Sequence, residues 1–349
     1  MKKLLNTLYV TTPESYLSKD GNNVVISVDG KEIFRIPITN LESICTFSYS
    51  GASPGLMRLC SENGVALSFF SPHGKFIART QGPVKGNVLL RLRQYGILND
   101  EAEKRRLASR FTYGKLFNSR VVLRRFVRDY PDNPAASKVA SSAEKLRQSA
   151  INAAQMPQLD TMRGIEGDGA AEYFEAFPHL ILSPEPEFAF KNRNRRPPKD
   201  PVNAMLSMGY SLLSCDCASA LEGVGLDPAM GFMHALRPGR NSLALDLMEE
   251  MRAYIVDRLV LSLVNTRQIS PSDFKIHTDA SDQDQASVIF TDNGLKKFLS
   301  AWQAKKKTEF THPFLNEKIK LGLLPHAQAM LLARNLRGDI DDYPVFLTK

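Results

Sequence analysis

The sequence predicts an α+β protein: a small β-rich N-terminal domain over residues 1–86, followed by a larger all-α domain over residues 87–349. Three observations lead there. Residues 6 to about 80 carry short β-branched and aromatic runs separated by turn residues. From about Asn87 the period becomes helical and stays so to the end. Glycine and proline punctuate the gaps between the helical stretches.

In order, NTLYVT, NVVISV, EIFRIPI and SICTFS read as strands. Asp29-Gly30 marks a two-residue hairpin between the second and third, and Asp20-Gly21-Asn22 an earlier turn. SPGLMRLCSENG reads as a short helix, with Ser53 as N-cap, Pro54 at the first helical position and Gly64 ending it. VALSFF and KFIART follow as strands joined through Pro72-His73-Gly74. Leu89, Leu92, Tyr95 and Leu98 then recur at three-residue spacing. Further helical patterns cover 101–129, 137–154, 161–177, 200–221, 242–264, 293–303 and 324–335. The stretch from Pro184 to Pro201 is Pro-rich, basic and aperiodic, and reads as a loop.

Hydrophobic residues make up 43% of the 349, enough for a sizeable core, and the length suits about two domains. No apolar run reaches the ~18 residues that span a bilayer. Ala253–Val264, the most apolar helical stretch, is broken by Asp257 and Arg258. The opening MKKLLNTLYVTTPE has too short and mixed an apolar stretch for a signal peptide, so a cytoplasmic chain is expected. Cys45, Cys60, Cys215 and Cys217 form no metal or disulfide framework.

The net charge is +8, and residues 81–130 alone hold twelve Lys/Arg against four Asp/Glu, an excess of eight. Such concentration is the footprint of a nucleic-acid binder, or of a solvated helix face. Elsewhere Glu166, His234, Asp246 and Glu249 offer a mixed carboxylate and imidazole set. One histidine among carboxylates suits Mn²⁺ or Mg²⁺ better than structural zinc. Metal beside basic residues points to phosphodiester chemistry.

Each of these residues has a plainer reading. Glu166 could be a first-turn carboxylate favoured by the helix dipole. Gly167 and Gly169 beside it are costly in a helix and would let a backbone or a DNA strand approach. Asp246 and Glu249, three residues apart, share one helix face that Asn241 or Ser242 could cap; Glu250 competes with them, and all could be a solvated stripe. Arg252 continues that face and would neutralise the carboxylates or touch a phosphate. His234 stands out from the other five histidines because it leads a turn into this helix. Phosphate-loop, nucleophile-elbow and H-E-x-x-H patterns are absent from the sequence.

Three segments, RGIEGDGAAEYF from Arg163, RNRRPPKDPVNAMLSMGYSLL from Arg193 and GFMH…SLALDLMEEMR from Gly231, resemble the CRISPR-associated spacer-acquisition integrases. The resemblance covers essentially the whole chain, and the SYLSK…YPVFL pattern is similar to the type I-C branch. It implies a metal site of Glu166, His234 and one acid of the Asp246–Glu249 pair. Relatives often carry two aspartates there, so the direct ligand stays open, with Glu249 ranked ahead of Asp246. The resemblance assigns Arg237 and Arg252 to DNA phosphates; the basic loop adds Arg193, Arg195 and Arg196. The implied reaction is transesterification: the 3′-hydroxyl of a protospacer duplex attacks a phosphodiester at the leader end of the CRISPR repeat. Implied partners are double-stranded DNA, a second copy of the chain, a small second CRISPR-associated protein completing a heterohexamer, and an end-trimming nuclease. The β domain, with its edge strands, would be the homodimer surface. Two other readings remain: a non-catalytic DNA-binding subunit, and an unrelated metal hydrolase acting on small phosphates.

Overall fold

The computed structural model describes residues 6–83, 88–194, 197–277 and 286–348. Seven strands open the chain: β1 (Thr7–Val10), β2 (Tyr16–Asp20), β3 (Asn23–Val28), β4 (Lys31–Pro37), β5 (Ser43–Thr46), β6 (Ala66–Phe70) and β7 (Phe76–Arg79). They form two sheets. β2, β3 and β4 are an antiparallel meander, and Asp29 and Gly30 both take positive φ at its second turn, as the hairpin signal requires. The second sheet runs β1-β5-β6-β7, with β1, β5 and β6 parallel and β7 antiparallel. Helix α1 (Pro54–Asn63) makes the crossover from β5 to β6; Ser53 caps it, and Gly64 ends it in the left-handed region.

β2 leads into the expected turn at Asp20-Gly21-Asn22, over residues where no strand was expected. Ser18, Lys19 and Asp20 give YLSKD no apolar alternation, and its pairing with β3 makes it a strand. The edge strand β4 is almost wholly exposed, with Ile33 and Phe34 open to solvent.

The helical part comprises α2 (Val88–Leu98), α3 (Glu101–Asp129), α4 (Ala136–Ala154), α5 (Leu159–Ala176), α6 (Pro201–Val224), α7 (Ser242–Arg252), α8 (Arg258–Asn265), α9 (Asp292–Lys307) and α10 (Leu324–Arg337). A wider π turn over Ala253–Asp257 joins α7 to α8, so the single helix expected over 242–264 is one rod with a local irregularity. The part is mostly rather than wholly helical: hairpins β8 (Phe274–His277) with β9 (Ser287–Phe290), and β10 (Glu309–Thr311) with β11 (Lys318–Lys320), sit between the last helices. The boundary expected between residues 86 and 87 lies outside the described residues.

The four-stranded sheet is shared by two apolar clusters. Val10, Ile44 and Leu67 pack with Leu17, Val24 and α1 on one side, while Cys45, Phe47 and Phe70 join the helical core on the other. α3 is the central helix, flanked by α4, α5 and α7. In α2 the buried positions are Leu90, Gln94 and Ile97, whereas Leu89 and Leu92 are 69% and 67% exposed; the three-residue spacing marked the helix but not its inner face. Among the described residues no helix is long and apolar enough to cross a membrane.

Candidate active site

Because α5 and α7 both pack on α3, the middles of three sequence-distant helices meet. Glu166 lies two turns inside α5, beyond the reach of a first-turn dipole effect. Gly169 lets α5 pack closely: a Cβ there would meet Leu116 of α3 at 2.2 Å, whereas one at Gly167 would meet open space. Asp246, Glu249 and Glu250 are all buried, so the solvated-stripe reading of α7 fails.

Asp246 is fully engaged. Its Oδ2 accepts from the backbone N–H groups of Phe232 (2.6 Å) and Met233 (3.0 Å), and its Oδ1 accepts from that of His234 (3.0 Å). Oδ1 also lies 2.6 Å from His234 Nδ1. This bond assigns the proton to Nδ1 and leaves Nε2 as an acceptor. The turn that presents His234 needs Gly231, where a Cβ would fall 2.6 Å from the Ser242 carbonyl carbon and 2.8 Å from Asp246 Oδ2. Arg163 of α5 donates from Nε to the Met233 carbonyl at 3.0 Å and ties the same turn to the helix of Glu166.

His234 Nε2 faces Glu249 Oε1 across 3.9 Å. Of the two acids of α7, Glu249 therefore turns towards Glu166 and His234, while Asp246 stands behind the imidazole. Glu250 is directed away, to Tyr343, Gln328 and the Phe346 backbone N–H.

Lys115 of α3, which the sequence did not single out, sits between the carboxylates. Its ammonium contacts Glu166 Oε1 and lies 3.1 Å from Glu249 Oε2. Arg252 is buried rather than presented to solvent: its Nη1 donates to Glu249 Oε1 at 3.2 Å, and its guanidinium lies over Tyr210, 5.1 Å from the ring centroid. Burial alone would push the Glu249 carboxyl up; Arg252, then Lys115, hold it well below the usual carboxylate range. Beyond Arg252, the Tyr210 and Tyr173 hydroxyls donate to Asp257 at 2.6 and 3.0 Å.

Arg193 donates to Asn203 Oδ1 at 2.7 Å and to Ser207 Oγ at 3.0 Å, beside Tyr210. Arg237 is exposed on the loop after His234. Arg195 and Arg196 lie outside the described residues.

Among the described residues no three His, Cys, Asp or Glu side chains are close enough as they stand to hold a metal ion. The donor chemistry nonetheless fits a hard divalent cation. Two carboxylates and an imidazole nitrogen converge, and two acceptors, Nε2 and Oε1, face each other. Glu249 Oε2 is buried with ion-pair contacts but no aligned hydrogen-bond donor. Positive charge between the acids is supplied by Lys115.

A mostly parallel β sheet on a helical body, with an acid–imidazole centre built from α5, α7 and the turn before α7, defines the class of this protein. The chain belongs to the Cas1 family: the family described as CRISPR associated protein Cas1 matches residues 8–304. It is 48% identical over 353 residues to the CRISPR-associated endonuclease Cas1 2 of Rhodospirillum rubrum, covering 100% of both chains. It is 46% identical over 347 residues to the CRISPR-associated endonuclease Cas1 1 of Chlorobaculum tepidum, covering 99% of both. A solved Cas1 protein from Thermotoga maritima shares the fold, with a TM-score of 0.79 at 21% identity and 99% of each chain covered.

Proposed function

We propose that this protein is a CRISPR adaptation integrase that joins the 3′-hydroxyl ends of a short DNA duplex to the leader end of a CRISPR repeat. The observation that carries the reading is the meeting of Glu166 of α5 with His234 and Glu249 of the remote segment formed by α7 and the turn before it, with Asp246 orienting the imidazole. Relatives close to half identical along their whole length are named endonucleases. The same centre, with water in place of the 3′-hydroxyl, would act as an endonuclease.

Glu166, Glu249 and His234 Nε2 would hold Mg²⁺ or Mn²⁺. When bound, the cation supplies Lewis-acid neutralisation of the phosphoryl oxygens. Asp246 keeps the His234 proton on Nδ1, so Nε2 stays available as a donor of electrons. Arg252 and Tyr210 fix the Glu249 rotamer. Transesterification needs little covalent help, so holding these groups rigidly is the main contribution of the chain. Arg237, exposed beside His234, is the candidate contact to a DNA phosphate. The reading includes a homodimer, a small second CRISPR-associated protein in a heterohexamer, and an end-trimming nuclease. The exposed Ile33 and Phe34 on edge strand β4 suit the homodimer contact.

One observation favours a second reading. Lys115 and Arg252 already neutralise the carboxylates, as they would in a non-catalytic DNA-binding subunit. Strand transfer separates the two. Labelled duplex with 3′-hydroxyl ends is mixed with supercoiled leader–repeat plasmid and the protein, with and without the small partner, in Mn²⁺, Mg²⁺ or EDTA. Label joined to plasmid only with metal, and lost in Glu166→Ala and His234→Ala, is the expected result. Salt-sensitive DNA binding with no joining in any arm would replace it with the binding-subunit reading.

A further inference from the structure

On the side of the α7–α8 rod away from Arg252, two cations from two helices lie over one tyrosine, and a third helix brings an arginine close enough to repel both. The Arg258 guanidinium of α8 lies 4.7 Å from the Tyr254 ring centroid, and Lys305 Nζ of α9 lies 5.7 Å from it. Arg125, near the end of α3, acts on both by charge repulsion. Arg258 and Lys305 are half-buried. Among the described residues the carboxylate paired there is Asp129, which Arg125 and Arg128 share at 3.2 and 2.9 Å. The group therefore sets four cations against one anion.

Such an arrangement is unfavourable by itself. Burial, then Arg258 and Arg125, push the Lys305 ammonium down to about 8. The dipole of α9 accounts for lysines in its last turn. It does not account for arginines brought close to it from α3 and α8. An anion seated there would remove the repulsion, and Arg124, Arg125 and Arg128 are exposed on the same end of α3.

We propose that Arg258 and Lys305, seated over Tyr254, form with the neighbouring Arg125 an anion site separate from the Glu166–His234–Glu249 centre, which grips backbone phosphates of duplex DNA. The inference rests on the reading of the chain as a DNA-acting protein. Phosphate oxygens are the shared chemistry of a DNA backbone and of free phosphate; the run of arginines leading along α3 favours the continuous polyanion.

The test is binding of a labelled duplex in EDTA, which keeps chemistry silent, followed by anisotropy across a salt series. Wild type is compared with Arg258→Gln/Lys305→Gln and with Arg125→Gln alone, whose side chain is already half exposed. For the double variant the dissociation constant at low salt should rise about ten-fold or more, and the log–log salt slope should fall by about 1.8, two phosphate contacts' worth. Its melting temperature without DNA should be unchanged or higher, since repulsion has been removed. Arg125→Gln should reduce the slope by about 0.9. Unchanged affinity and slope in both variants would overturn the proposal, as would weaker binding accompanied by a lowered melting temperature. A pyrophosphate arm separates the sources: a cation-dependent thermal shift with pyrophosphate, beside unaltered duplex binding, would make this a free-phosphate site and overturn it as a DNA grip. Wild type that binds duplex but fails to join it would remove the integrase reading and leave this site standing; wild type that does not bind duplex removes both.

Discussion

Asp246 holds His234 through both its side chain and its main chain: one oxygen lies 2.6 Å from Nδ1 and 3.0 Å from the same residue's backbone nitrogen. Its other oxygen gathers the two preceding N–H groups. The carboxylate thus fixes the imbricated turn and the imidazole together. Asp246→Asn keeps the shape but puts an amide N–H where an acceptor is required. Metal affinity by calorimetry and strand joining should each fall by about 10–100-fold. Glu249→Gln should instead abolish joining; equal effects of the two changes would place Asp246 among the direct ligands.

Lys115 is buried between Glu166 and Glu249, and its removal leaves one buried and one partly exposed acid without their shared cation. Lys115→Met should lower stability in EDTA by about 3–5 kcal/mol. Mn²⁺ should then raise the melting temperature of the variant more than that of wild type, because the metal supplies the missing charge. Scanning calorimetry with EDTA and with Mn²⁺ reads both effects, and equal shifts in the two proteins would count against a cation site between these acids.

Glu250 is buried, among the described residues with no cation beside it, and burial pushes its carboxyl from the ordinary 4.5 up to about 8, against the hydrogen bonds of Tyr343, Phe346 and Gln328. Its folded-state value is above its unfolded one. Its contribution is therefore full below about pH 4.5 and is lost as pH rises through about 8. Urea titrations in EDTA should show wild type losing stability relative to Glu250→Gln over that window, by up to about 1.4 kcal/mol per pH unit. Glu250→Ala, which strands three buried donors, should cost about 3 kcal/mol at pH 5.

Gly231→Ala would press a methyl against the backbone of Ser242 and Leu243 and against Asp246. Chain atoms cannot swing aside as a flexible side chain can, so about 1–3 kcal/mol of stability should go. Joining should fall further than stability alone explains, because the displaced turn carries His234. Gly167→Ala on α5 meets nothing within 4 Å and should retain stability; thermal melts and joining rates of the pair check this contrast.

The frame was legible where one dimension carries the signal. Ser53 and Gly64 marked both ends of α1, Asp29-Gly30 marked a hairpin, and the long helix over 101–129 needed only its period. Glu166, His234 and Glu249 stood out through their motifs, and the structure brings them together. The division of labour between Asp246 and Glu249 was not, because both lie on one helix face and the turn at 231–234 decides which is used. Lys115 was hidden in a strongly basic helix, yet a signal existed: it occupies the buried stripe of Leu107, Phe111, Asn118 and Val122. A lysine at an inner position is one that has a partner there. In α2 the reverse held, since the regular leucines face outward and Gln94 faces inward, where its amide bonds the carbonyls of Asp227 and Met230.

The π turn over Ala253–Asp257 lets one rod serve two neighbourhoods. In a regular α-helix, residues five apart point about 140° away from each other. The widened turn brings position 257 round beneath 252, so Arg252 over the Tyr210 ring and Asp257 at its hydroxyl address the same aromatic. Tyr254 and Arg258 are thereby left to the opposite side. The added residue works as a phase offset in a gear train: deleting it would keep the helix and its composition while turning everything downstream of it to the wrong partner. A stretch of chain that looks interchangeable in hydropathy is, for this reason, intolerant of changes in length.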